Sequence, residues 1–313
     1  MHYKKYKEHG YLISEKLINE NDISNLRDDL EIEFKDKKLK YQKNLKDFTN
    51  KYLVKKIIDI YSKKNVIDII SNFKENINKE VFLLPPFEVH KNYHVDLQSV
   101  HGWHRDCGGE LKYDYCKNII FRKDYFFSKV GIYLQENSNF GGAIDIIKLS
   151  HKYFSKYTSI LRKIRMIPFR LVTLIHKLLT NLYLYFSDKF FMRILNAKKL
   201  HPEKGAAVFF DSRLIHRGSP INIEKHKEVN FLKGEFSATV PKKYDKYSIY
   251  CQLGTMEAID SYMYDRLKRK DGKLELKMWI ENAEFISIYN KDLSNKILRA
   301  IDPIVKKYSN YIN

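Results

Sequence analysis

Glycine and proline are scarce in this chain, at 12 and 7 of 313 residues. That excludes a collagen-like repeat and a Pro/Gly-rich disordered chain. Cysteine is scarcer still. Cys107, Cys116 and Cys251 include no pair at CxxC spacing, so neither a zinc knuckle nor a disulfide framework is indicated. No apolar stretch is long enough for a multi-pass membrane protein. The basic N-terminus is followed by no apolar segment of signal-peptide length, so the expected compartment is a reducing cytoplasm. Acids are also in deficit, with 38 Asp and Glu against 57 Lys and Arg, a formal charge of +19. Such a charge favours anionic partners. What the chain does have is a core: 44% hydrophobic and 14% aromatic residues suit a globular protein.

The order of patterns is helix, then strand, then helix. Asn19 precedes a run with Ile23, Leu26, Leu30 and Phe34 on one helical face, after a short extended piece at His9–Ile13. Residues 36–51 read as a polar loop or an exposed helix. Leu53, Val54, Ile57, Ile58 and Tyr61 keep helical spacing, as do Val66, Ile69, Ile70, Phe73 and Ile77. Pro85-Pro86 then breaks any helix. Residues 82–103, 129–135, 143–148, 206–210 and 229–239 read as strands between turn signals. Helical spacing returns from Met256. The expected fold is mainly β with helical cover, a sandwich or small barrel. It is expected to form one domain over 1–313, with a helical insertion at about 151–200 and a helical region at about 256–313. The insertion carries eleven Lys or Arg against the single acid Asp188, with an apolar stripe from Leu171 to Phe186. Its longest uncharged run, ten residues, is too short to span a bilayer. The expectations for it are a cover helix with a solvated basic face or a peripheral contact with an anionic membrane. Nucleic acid is not expected, because no nucleic-acid-binding motif accompanies the charge.

The chemistry is concentrated in two places. In Trp103-His104-Arg105-Asp106, His104 and Asp106 are two apart, so on a strand they share a face and can bind one ion. Far downstream, His216 follows the apolar run 206–210 in FFDSRLIHRGSP. Two histidines and one carboxylate make the facial triad of non-haem Fe(II) oxygenases, which leaves positions open for cosubstrate and O2. The same three ligands could hold Zn2+ in a hydrolase. A non-catalytic basic binding protein is the third alternative.

With these motifs in view, the chain resembles the phytanoyl-CoA dioxygenase family of Fe(II)/2-oxoglutarate oxygenases. HGYLISEKLINENDISNLRDDLE is similar to that family's opening strand and helix, and WHRD to its metal motif. VGIYLQENSNFGGAIDIIKLSH is similar to its middle pair of strands, with Gly141-Gly142 at the turn and Ser150-His151 closing it. GAAVFFDSRLIHRGSP is similar to its distal-histidine segment. The resemblance implies a double-stranded β-helix, or jelly roll, and makes His104, Asp106 and His216 the iron ligands. The implied cofactors are Fe(II), 2-oxoglutarate as cosubstrate, and O2. The implied reaction is hydroxylation of an unactivated C–H bond, with release of succinate and CO2. Family members hold the cosubstrate's distal carboxylate with a basic residue, usually Arg, some ten residues past the distal histidine. Here Lys227 stands eleven past His216, with Arg217, Lys225 and Lys233 as nearby alternatives. The family's serine two residues past the histidine is displaced, with Gly218 there and Ser219 following. Related halogenases leave the carboxylate position empty; Asp106 fills it, so C–H oxidation rather than halogenation is expected. The substrate is expected to be a small molecule, a glycan or a lipid-linked compound. No oligomeric state follows from the sequence.

Overall fold

The computed structural model describes residues 2–35, 41–92, 103–107, 112–138, 143–153, 192–193, 195–219, 246–269 and 272–311. Within these, the N-terminal helices form where the spacing predicts them. Helix α1 spans His2–His9 and strand β1 follows at Tyr11–Lys16. In α2, Glu20–Glu33, the Asn19 side chain accepts a hydrogen bond from the Asp22 N–H at 2.8 Å, satisfying a donor that a helix start leaves open. Asn50 caps α3, Lys51–Tyr61, in the same way through Leu53 N–H. Helix α4, Lys64–Ile77, buries Val66, Ile69, Phe73 and Ile77 and stops at Asn78, which takes the left-handed conformation at φ 56°.

Strands β2 (Tyr41–Asn44), β3 (Phe82–Asn92), β4 (Phe127–Tyr133), β5 (Ile144–Ile147), β6 (Ala197–Leu200), β7 (Ala206–Asp211), β8 (His216–Gly218) and β9 (Lys246–Gly254) build two antiparallel sheets. The six-stranded sheet runs β1-β7-β4-β9-β3-β2, and the three-stranded sheet runs β6-β5-β8. His104 extends the small sheet by an antiparallel bridge to His216. Helices α5 (Asp114–Ile120), α6 (Met256–Leu267), α7 (Gly272–Ser287) and α8 (Lys291–Lys307) complete the described elements.

Strand alternation sorts the large sheet into two faces. Val130 and Ile132 of β4 and Tyr247, Ile249, Cys251 and Leu253 of β9 join the helices in the main core, around fully buried Trp279. Tyr133, Val208 and Phe210 face the other way and meet Ile144, Ile146, Leu200 and Leu214 in a second core between the sheets. On β9 the residues alternating with the helix-facing set are Lys246, Ser248, Tyr250 and Gln252. They line the space between the sheets. Gly131 sits under Tyr250 there: a Cβ at 131 would lie 2.9 Å from its ring, so only glycine lets the ring cross the strand.

Several expectations change. The early third is not all helix, since β1 and β2 are edge strands of the large sheet; Tyr41–Asn44 was expected as loop or helix. The extended piece placed at His9–Ile13 begins at Tyr11, because α1 runs to His9. Pro85-Pro86 lies inside β3, at the register irregularity between Leu84 and Glu88, where a strand tolerates proline. Strands β6 and β9 were not anticipated. The strand expected at 229–239 and most of the basic insertion (154–191) lie outside the described residues, as do His94, His101 and Gly141-Gly142. Among the described residues, no helix is long and apolar enough to cross a membrane.

Candidate metal centre

The fold brings His104, Asp106 and His216 together. Each offers one ligand atom, and the three atoms lie within 4.8 Å of one another. The backbone explains the convergence. His104 and His216 exchange both N–H···O=C bonds at 2.9 Å, which sets the two rings 4.3 Å apart between centroids. Two residues on, Asp106 donates its N–H to the Ser212 carbonyl at 3.0 Å. Its carboxylate oxygens stand 3.9 Å from His104 Nε2 and 3.9 Å from His216 Nε2.

Neighbouring groups prepare the ligands. The His216 Nδ1–H donates to the Leu214 carbonyl at 3.0 Å, leaving Nε2 as the acceptor aimed at Asp106 and available to a metal. Phe210 covers one side of that ring at 4.6 Å. Burial pushes the His216 imidazole down to about 4 against the pull of Asp106, so the ring is neutral at neutral pH. Burial alone would raise the Asp106 carboxyl, but His216, Lys129 and His104 hold it below its usual value. A neutral imidazole and an ionised carboxylate are the forms that bind metal. His216 is buried and Asp106 largely so, whereas the His104 side chain is 57% exposed, so the site opens on the His104 side.

Other polar and charged residues near the centre take structural places. Arg213 forms a two-pronged pair with Asp211, Nε–Oδ1 2.8 Å and Nη2–Oδ2 2.6 Å. Arg217 points to the opposite face of β8 from His216. It is committed there to Asp145 through Nε at 2.9 Å, and it stacks over Trp103. It does not face the metal ligands, which removes it as an alternative carboxylate holder. Ser219 donates to the same Asp145 at 2.6 Å. Ser150 accepts from Ile215 N–H at 2.8 Å, fixing the backbone beside His216, and His151 packs on Gly10. Tyr133 lines the interior, its hydroxyl 3.4 Å from that of Tyr250. Gln135 accepts from Tyr247 N–H at 2.9 Å. Cys107, Cys116 and Cys251 are buried and unpaired with one another.

Lys227, Lys225 and Lys233 lie outside the described residues. Among the described residues, one inward-facing basic group is Lys246, which the sequence reading did not single out. It opens β9, is 5% exposed, and its ammonium reaches across to the Ser219 carbonyl at 3.5 Å. Burial lowers it to about 8. Ser219 is three strand residues past His216, roughly 10 Å. Beside Lys246 on the same face, Ser248 Oγ is buried with no hydrogen-bond partner. The signal that could have exposed both is the alternation in KYSIYCQLG.

No protein-family model and no curated protein matches this chain. Among solved structures, HygX from Streptomyces hygroscopicus with nickel and 2-oxoglutarate bound is similar, at TM-score 0.47 and 11% identity over 81% of this chain and 86% of that one. The non-heme alpha ketoglutarate dependent epimerase SnoN from nogalamycin biosynthesis is similar at TM-score 0.44 and 10% identity, over 82% and 80%. AviO1 from Streptomyces viridochromogenes is similar at TM-score 0.44 and 10% identity, over 81% and 93%. What those proteins bind is a property of those proteins.

Proposed function

We propose that this chain is an Fe(II)/2-oxoglutarate-dependent dioxygenase that hydroxylates a C–H bond of its substrate, and that its two facing sheets form a double-stranded β-helix. One observation carries the reading: two imidazoles and one carboxylate converge within 4.8 Å at the open end of the space between the sheets. The donor set fits Fe(II), since two neutral nitrogens and one carboxylate leave further positions vacant. When bound, iron and 2-oxoglutarate supply O2 activation coupled to decarboxylation, giving succinate and CO2. The chain's own residues do the rest. Leu214 holds the His216 tautomer, Phe210 shields that ring from water, and Asp106 supplies the anionic ligand. The partly exposed His104 side admits the substrate. Lys246 and Ser248, deeper along the same wall, are placed to receive the distal carboxylate of the cosubstrate. The experiment is succinate formation from 2-oxoglutarate in air, with Fe(II) or with Zn2+. Turnover with iron and none with zinc supports the oxygenase. Metal-dependent ester or amide hydrolysis with zinc, and no succinate, supports the hydrolase.

The assignment of Lys246 gives its own prediction. Lys246→Ala should weaken 2-oxoglutarate binding by about 2 kcal/mol, roughly thirtyfold, by leaving a buried carboxylate without its cation. Lys227→Ala should change it little; the reverse result restores Lys227 to the role. The pH dependence follows from the lowered lysine. Unliganded, Lys246 loses its proton as pH rises through about 8. Affinity should therefore be flat below that pH and fall above it, and binding at pH 9 should take up a proton. Calorimetry in buffers of different ionisation enthalpy measures the uptake, and Lys246→Arg should abolish it.

The basic insertion remains a proposal resting on charge. Residues 151–200 are expected to dock on an anionic membrane, each basic residue contributing on the order of 1 kcal/mol. Co-sedimentation with anionic vesicles should weaken in high salt and on changing Arg162, Lys163, Arg165 and Arg170 to Gln. Equal recovery in the supernatant with anionic and neutral vesicles would return the segment to a solvated cover.

A further inference from the structure

Two groups on the wall facing the metal ligands hold no ligand in the chemistry above. Lys129 on β4 and Gln252 on β9 are direct cross-strand partners, so their side chains lie side by side on the inner face. Gln252 is 1% exposed, yet neither Oε1 nor Nε2 has a hydrogen-bond partner. A buried amide left unbonded destabilises the protein, a cost that a ligand completing its bonds would remove.

Lys129 is equally unmatched. It makes no ion pair among the described residues, and its ammonium lies 5.9 Å and 5.3 Å from the ring centroids of Phe127 and Tyr262. Asp106, Glu275 and Glu88 are the acids whose charge reaches it. Glu275 already accepts from the Tyr262 hydroxyl at 2.6 Å and lies 3.2 Å from Arg266 Nε. Glu88 is paired with His90 at 2.8 Å. Asp106 is the remaining counter-charge, and a metal ion there would claim it. A cation and an amide donor would then stand together, unsatisfied, beside the reacting centre.

We propose that Lys129 and Gln252 form an oxyanion subsite that holds a carboxylate or phosphate group of the primary substrate next to the metal. The proposal rests on the oxygenase reading. The ammonium supplies charge and the Gln252 Nε2–H donates to the oxyanion. Gln252 Oε1 is left to accept from a hydroxyl or N–H of the same molecule. The Phe127 and Tyr262 rings close the side away from the anion. An uncharged acyl chain would leave the buried Gln252 amide and the half-buried Lys129 ammonium unmet, so the expected substrate is a small, hydrogen-bonding anion.

The test uses the full chain loaded with Mn(II) and saturated with 2-oxoglutarate, without O2. The probes are inorganic phosphate, read by paramagnetic relaxation of its phosphorus signal, and acetate, read by that of its carbon signals. Saturable relaxation is expected for at least one. Phosphate alone marks a phosphorylated substrate, acetate alone a carboxylated one, and both a general oxyanion site. Lys129→Met should weaken the effect at least tenfold and Gln252→Met about fivefold, while Lys129→Arg retains it. The affinity for 2-oxoglutarate should stay within twofold in all three. No relaxation by either anion overturns the subsite. So does relaxation that persists in both methionine variants, which would put the anion on the metal itself. A loss of 2-oxoglutarate affinity in Lys129→Met as large as in Lys246→Met also overturns it. If the wild-type chain holds Mn(II) but not 2-oxoglutarate, the oxygenase reading fails, and the anion titration of that same sample still decides the subsite.

Discussion

Replacing His104, Asp106 or His216 by alanine is expected to lower 2-oxoglutarate turnover by about a thousandfold or more. A facial site of three protein ligands that loses one holds its metal poorly and loses its orientation. The metal's share of the barrier is several kcal/mol, and each 1.36 kcal/mol is tenfold in rate. The three variants differ in what else they disturb. His216 is buried against Phe210 and bonded to Leu214, so its removal also opens a small void. The His104 side chain is 57% exposed, so His104→Ala should leave the melting temperature nearly unchanged. It is therefore the cleanest of the three. Succinate formation and thermal melting on the same preparation give the comparison. Near-normal turnover in any variant would show that its ligand is misassigned.

Arg217→Met is expected to destabilise the fold by about 3–5 kcal/mol without touching a ligand. Arg217 is 2% exposed and Asp145 fully buried, and their side chains meet at 2.8–2.9 Å between β8 and β5. Truncating the arginine takes the paired cation from a fully buried carboxylate, to which Ser219 still donates. Because Arg217 adjoins His216, the loss should also loosen the distal ligand. The double variant Arg217→Met with Asp145→Leu should recover much of the stability, since paired burial of apolar groups carries no charge penalty. Denaturant unfolding measures both, and a single variant as stable as wild type would show that the pair contributes little.

The sequence exposed some of this architecture and hid the rest for physical reasons. Helices α2 to α4 were legible because each carries a 3.6-residue apolar stripe, and α2 also a start residue at Asn19. The two histidines and Asp106 were legible from the H-x-D spacing and from His216 following an apolar strand. His104 and Asp106 do not sit on one strand, however: His104 makes an isolated bridge and Asp106 lies in the turn after it, held by Ser212. Strands β2 and β6, YQKN and AKKL, were not legible, since each lies at the edge of its sheet, where lysines face water and no apolar run forms. Strand β9 was hidden differently. Its inward face, toward the space between the sheets, is Lys246, Ser248, Tyr250 and Gln252, which makes no apolar run. A search for apolar runs therefore passes over this strand. Lys227, the residue that the spacing from His216 singles out, lies outside the described residues, whereas β9 begins thirty residues after that histidine and carries Lys246 inward.

The most direct test of the central claim is the visible absorption of the anaerobic chain titrated with Fe(II) and then 2-oxoglutarate. The oxygenase reading predicts a new metal-to-ligand charge-transfer band that appears only when both are present, saturates at one equivalent of each, and is absent in His216→Ala. An iron-loaded chain whose spectrum does not respond to 2-oxoglutarate, or whose response survives His216→Ala unchanged, would contradict it.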